Sequence, residues 1–184
     1  FGLESGAESV IGRMVKTTSA KRYLAKAQEN LALWSDHGVH TGINFIVGYL
    51  GESKDTIEES IKWLVRNKGS IRSVWGGGLM AYPDSPFSRS FHRYEQLYGA
   101  SYEAVSPLCE HLNTWPVNPS RDLHYEDVLR YVDYIHNLFY DADNFYHHYK
   151  WYVGPQSRQG SLGFLSRTDF DRKFSLSTHA ANPS

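Results

Sequence analysis

Val39-His-Thr-Gly42-Ile-Asn44-Phe-Ile46-Val-Gly48 is the stretch on which the fold turns. It is rich in apolar and β-branched types over a length suited to a buried strand, and glycines punctuate it at 42 and 48. On its N-terminal side, Ser19 opens a helix predicted to run to about Asp36. Ala20, Tyr23, Leu24, Ala27, Leu31 and Trp34 fall on one helical stripe, and Gly38 stops it. On its C-terminal side, Asp55 and Glu58 have capping-box spacing, and Ile57, Ile61 and Leu64 carry a second helix to about Asn67, with Gly69 beyond it. Ser73 to Tyr82 reads as the next strand, crossed by Gly76-Gly77-Gly78, which argues for a bulge or a ligand pressed against the backbone. Upstream, Phe1-Gly-Leu-Glu4 reads as a strand end, followed by a short helix from about Ser9 to Val15. Strand and helix thus alternate about every 30 residues, the signature of right-handed βαβ crossovers and a parallel sheet in an α/β fold.

After Pro86 the rhythm changes. A helix is predicted near Phe87 to Tyr98, then a mixed region through Pro119, then a strong helix from about His124 to Ala142 with Val128, Leu129, Val132, Ile135 and Phe139 on its buried face. Beyond Trp151 the chain turns rich in Gly, Ser and Arg without periodicity and is expected to be irregular. The division is therefore residues 1–90, the α/β part, and residues 91–184, a mainly helical extension with an irregular tail.

Composition narrows the function classes. Hydrophobic residues at 41% and aromatics at 15% furnish a core, so a globular fold is expected. Nineteen basic against twenty acidic side chains leave a formal net charge of -1, with no general field for polyphosphate or an anionic membrane. No run approaches the ~18 apolar residues of a spanning helix, and a cytoplasmic location is expected. Cys109 is the only cysteine, so neither an internal disulfide nor a multi-cysteine metal site comes from this chain alone. His147 and His148 are adjacent and point apart, and with His124 and His136 they are read as structural or solvated. The aromatic run from Tyr131 to Tyr152 is read chiefly as packing.

In parallel sheets the ligand sits beyond the carboxyl ends of the strands, so polar residues there carry most weight. Alternation places Gly2 and Glu4 on one face of the first strand, and Gly42, Asn44, Ile46 and Gly48 on one face of the second. Asn44 lies between apolar neighbours; if buried, its amide needs a partner, in the protein or on a ligand. The turn Gly48-Tyr-Leu-Gly51-Glu52-Ser53 lacks the Lys-Ser/Thr of a nucleotide P-loop.

Phe1-Gly-Leu-Glu4-Ser-Gly-Ala-Glu-Ser-Val-Ile-Gly-Arg-Met-Val-Lys16-Thr-Thr, then Gly42-Ile-Asn-Phe-Ile-Val-Gly-Tyr-Leu-Gly-Glu52, then Tyr82-Pro-Asp-Ser-Pro86 resemble, in order and spacing, the second half of the radical S-adenosylmethionine (SAM) core. The resemblance covers about residues 1 to 90. It implies that the three strands are the fourth to sixth of a partial (β/α) barrel of six units, with SAM lying across their carboxyl ends. Glu4 and Asn44 then fall at ribose-contacting positions, Lys16 at the position that pairs with the SAM carboxylate, and Ile46 and Gly48 along the adenine. Leu50-Gly51 stands where the family often has Pro-Gly, and Pro83-Asp84-Ser85-Pro86 where it often has Pro-Gly-Thr-Pro. The family's CxxxCxxC loop is absent, so the ligands of its [4Fe–4S] cluster are expected in a missing N-terminal half of the barrel, the partner that would complete the site.

The activity this implies is reductive cleavage of SAM to a 5′-deoxyadenosyl radical, acting on an unidentified small-molecule or peptide substrate. The pattern looks most like the branch with methylthiotransferases and cobalamin-dependent methylases, which makes cobalamin a further candidate cofactor. Two rival readings stand beside it: a phosphate-binding α/β-barrel enzyme fragment, and a non-catalytic interaction domain that retains the fold.

Overall fold

A computed structural model describes residues 1–103 and 114–139. Three strands, β1 (Gly2–Glu4), β2 (Gly42–Val47) and β3 (Ser73–Gly78), form a parallel sheet in the order β1-β2-β3. Helices α1 (Glu8–Arg13) and α2 (Ala20–Asp36) connect the first pair, and α3 (Lys54–Arg66) with a 3₁₀ turn at Lys68–Ser70 connects the second. The α/β class read from the alternation is therefore observed.

β2 explains why the sheet has two unlike faces. Ile43, Phe45 and Val47 are buried, whereas Asn44 is exposed and Gly42 and Ile46 are half-buried. The stretch is thus a one-sided strand, where a strand buried on both faces was expected. β3 follows in regular register, Gly42↔Ser73 through Val47↔Gly78, which sets Ser73, Trp75 and Gly77 beside Gly42, Asn44 and Ile46 on the less covered face. Trp75 is 49% exposed there. The register has no slip at the three glycines, so the bulge suggested by the sequence does not form.

The close approach that those glycines permit is made by a helix. A Cβ at Gly78 would meet Tyr125 Cε2 at 2.6 Å, and one at Gly48 would meet Val128 Cγ2 at 2.6 Å. Both partners lie on α6 (Tyr125–Leu138), which runs over the covered face with Val128, Tyr131, Val132, Ile135 and Leu138 buried. His136 Nε2 accepts a hydrogen bond from the Gly76 amide at 3.2 Å, a structural use of that histidine.

Local chemistry sets the helix starts. Ser19 caps α2, accepting from the Arg22 amide, as its position before the amphipathic stripe predicts. α3 is capped by Ser53 and Thr56, which exchange side-chain and backbone bonds, and Asp55 and Glu58 play no part in that box. Ser60, buried on α3, bonds to Ser5 Oγ at 3.0 Å and accepts from the Gly6 amide at 3.1 Å, which fixes the turn after β1.

The segment after β3 holds a second sheet: the strand expected from Ser73 to Tyr82 breaks after Gly78, its last part joins this sheet, and the other two strands lie in the region expected to be mixed. β4 (Met80–Ala81), β6 (Trp115–Asn118) and β5 (Ser101–Tyr102) pair antiparallel in the order β4-β6-β5, with α4 (Pro86–Arg89) and α5 (Phe91–Tyr98) between β4 and β5. Leu50, Ala81, Phe91, Ala100 and Val117 form its core. Leu50 belongs to the turn after β2, so that turn is anchored in the second core, and the Gly51 amide donates to Pro119 O at 2.9 Å. Phe1 to Phe139 form one compact unit. Cys109, His147, His148, the aromatic run beyond Phe139 and the tail lie outside the described residues.

Candidate functional site

The carboxyl end of β1 departs from regular strand geometry. Its register against β2 runs Gly2↔Asn44 and then Glu4↔Phe45, a slip of one residue, and Glu4 has φ 74. A non-glycine residue in the left-handed region costs on the order of 1 kcal/mol and is held by its surroundings. The left-handed turn folds the Glu4 carboxylate back over Gly2, where a Cβ would collide with Glu4 Oε1. Glycine at position 2 is therefore required for this placement.

Lys16 comes from beyond the end of α1 to the same spot. Its Nζ donates to Glu4 Oε1 at 3.0 Å and to the Gly2 carbonyl at 2.8 Å. The two side chains keep 29% and 22% of their surface, an ion pair at the edge of solvent. Tyr23 on α2 donates its hydroxyl to the same Gly2 carbonyl at 3.0 Å. Asn44 is the strand partner of Gly2 and lies exposed beside the pair. Because the residue is exposed, the partner that burial would demand is not needed.

The other two residues singled out from the sequence are placed differently. Ile46 is half-buried on the less covered face, two residues along β2 from Asn44. Gly48 is buried with φ 80; the space above its Cα is taken by Val128 and its amide by Glu52. Glu4 and Lys16 thus meet over β1, Asn44 lies beside them in the middle of β2, and Gly48 serves the contact with α6.

Glu52, which the sequence reading passed over, organises the turn after β2. It is 1% exposed, and its Oε2 accepts from the Gly48 amide at 2.7 Å and the Tyr49 amide at 2.9 Å. Its backbone carbonyl accepts from Ser120 Oγ at 3.0 Å. Burial pushes its carboxyl up to about 7, against the pull of the two amides and the Arg13 charge. Burial likewise raises the Tyr49 hydroxyl. A carboxylate four residues after a glycine that ends a strand was the available signal, but its burial depends on the second sheet.

Among the described residues no group of three or more His, Cys, Asp or Glu side chains converges to hold a metal ion, and no helix is long and apolar enough to cross a membrane. No protein-family model matches the chain, and no curated protein matches it.

Proposed function

We propose that the chain supplies the ribose and carboxylate contacts for SAM in a radical SAM enzyme, as the later half of its partial (β/α) barrel. The observation that carries this reading is the meeting of Glu4 and Lys16 at the carboxyl end of β1, beside Asn44 on the less covered face of a parallel sheet. A carboxylate and an ammonium held together at a solvent edge suit a ligand with vicinal hydroxyls on one side and a carboxylate on the other. Such a ligand exchanges the internal ion pair for contacts of its own, so the pair is held ready at small cost. Bound SAM supplies a sulfonium whose reductive cleavage begins radical chemistry. Within this chain Glu4 binds hydroxyls, Lys16 orients the carboxylate, Asn44 adds an amide, and Ile46 gives the ligand an apolar floor. The cluster that would deliver the electron does not fit the residues present, because the chain carries one cysteine and a cluster needs several thiolates.

The test compares Lys16→Glu with Lys21→Glu. The first reverses a charge at the proposed carboxylate contact; the second changes an exposed position on α2. Calorimetry with SAM on the purified protein is expected to show at least a tenfold loss for Lys16→Glu and less than a twofold change for Lys21→Glu. Equal affinities for the two variants count against the assignment.

A further inference from the structure

Arg13 ends α1 with an unfilled hydrogen-bonding edge. Its Nε and Nη2 are closed off from solvent, and neither has a hydrogen-bond partner. These two nitrogens lie on the same side of the guanidinium plane, where their N–H bonds run parallel and match the two oxygens of a carboxylate. Arg13 as a whole is half-buried, but two N–H groups shut away from water without an acceptor are costly, so their retention calls for one. Glu52 does not fill that place: its Oε2 accepts from the Gly48 and Tyr49 amides, and neither Arg13 nitrogen bonds to it. The Arg13 charge nevertheless acts on both Glu52 and Tyr49, and Tyr49 in turn feels Tyr94 and Tyr98. Those phenol rings are fixed: Tyr94 stacks with Phe87 at 5.8 Å between centroids, and Tyr98 packs where a Cβ on Gly51 would fall.

We infer that the Nε/Nη2 edge of Arg13 is a binding site for a small, singly charged carboxylate. The planar edge favours a carboxylate over a spherical anion, and the Glu52 carboxyl group disfavours a second negative charge on the ligand. Because the edge is closed while Arg13 as a whole is half-buried, binding includes rotation of the Arg13 side chain itself. The site does not depend on the pairing of Glu4 with Lys16 and stands whether or not that pair binds SAM.

Arginine-selective ¹⁵Nε NMR on the purified protein reads the site directly. The Arg13 signal is assigned by its loss in Arg13→Lys, and the probes are sodium acetate, sodium benzoate and inorganic phosphate, with sodium chloride at matched ionic strength as control. A saturable shift of the Arg13 Nε–H with acetate or benzoate is expected, with phosphate at least tenfold weaker and chloride without effect. No saturable shift from either carboxylate, the same shift from chloride, or tighter binding of phosphate overturns the proposal. Thermal unfolding of Arg13→Met without added carboxylate is the second measurement. An unchanged or raised Tm is expected, because the variant removes an unpaired charge; a fall of several degrees means that the guanidinium is paired within the protein and sinks the proposal.

Discussion

At Glu52, burial and hydrogen bonding oppose one another, and burial is the larger effect. Two amides favour the ionised carboxylate, yet its pKa stands at about 7 against an ordinary value of 4.5. The folded chain therefore holds a proton that the unfolded chain releases above its own, lower pKa. The stabilisation from that proton is present at pH 4.5 and below and is lost as pH rises through about 7. Glu52→Gln keeps an oxygen for the two amides and cannot ionise. Urea unfolding of the variant is expected to show roughly 1–3 kcal/mol more stability than the parent at pH 8 and a difference within about 1 kcal/mol at pH 5. A parent whose stability does not fall between those pH values would show that Glu52 titrates as an ordinary glutamate.

Among the elements, α6 packs closely on Gly48, just after β2, and on Gly78 of β3. Gly48→Ala combines a collision with Val128 and a Cβ at φ 80, and is expected to cost about 2–4 kcal/mol. In the Gly48→Ala/Val128→Ala double variant the collision goes and the backbone strain stays. The cycle should therefore show a favourable coupling of about 1–2 kcal/mol, measured by chemical denaturation. Additive losses would mean that α6 does not touch Gly48. Elements with a local signature were legible: α2 from its stripe and the Ser19 hydroxyl, and the three parallel strands from their spacing; the ion pair of Glu4 with Lys16 was not, since it depends on the left-handed turn at Glu4. The glycine triplet was misread because a strand glycine signals close approach without saying by what. β5 spans two residues and β6 contains Pro116, so neither has the length or composition of a strand until Ser101, Tyr102 and Val117 are seen in register. Arg13 and Glu52 owe their character to burial, which no spacing reports.

At the level of the whole molecule, one cysteine sets a limit that the fold does not lift. Anaerobic reconstitution of the purified chain with iron and sulfide is expected to give well under one [4Fe–4S] cluster per chain, because several thiolates are needed for each. A stoichiometric cluster, by iron and sulfide assay, would contradict the radical SAM reading of this segment. The same scale shows how the two sheets are tied. Leu50 is buried in the second core, Gly51 bonds to Pro119, and Ser120 bonds to Glu52. The turn at the carboxyl end of β2 is thereby fixed from both sides.

The cover that α6 gives to the glycine-rich strand also has a consequence for synthesis on the ribosome. Gly76 waits for His136, which follows 60 residues later in the chain. At ~5–20 residues per second, that is an interval of roughly 3–12 s in which β3 exists without its helix. During it Phe45, Val47 and Val74 lack the cover of α6, and the nascent chain carries their apolar surface exposed.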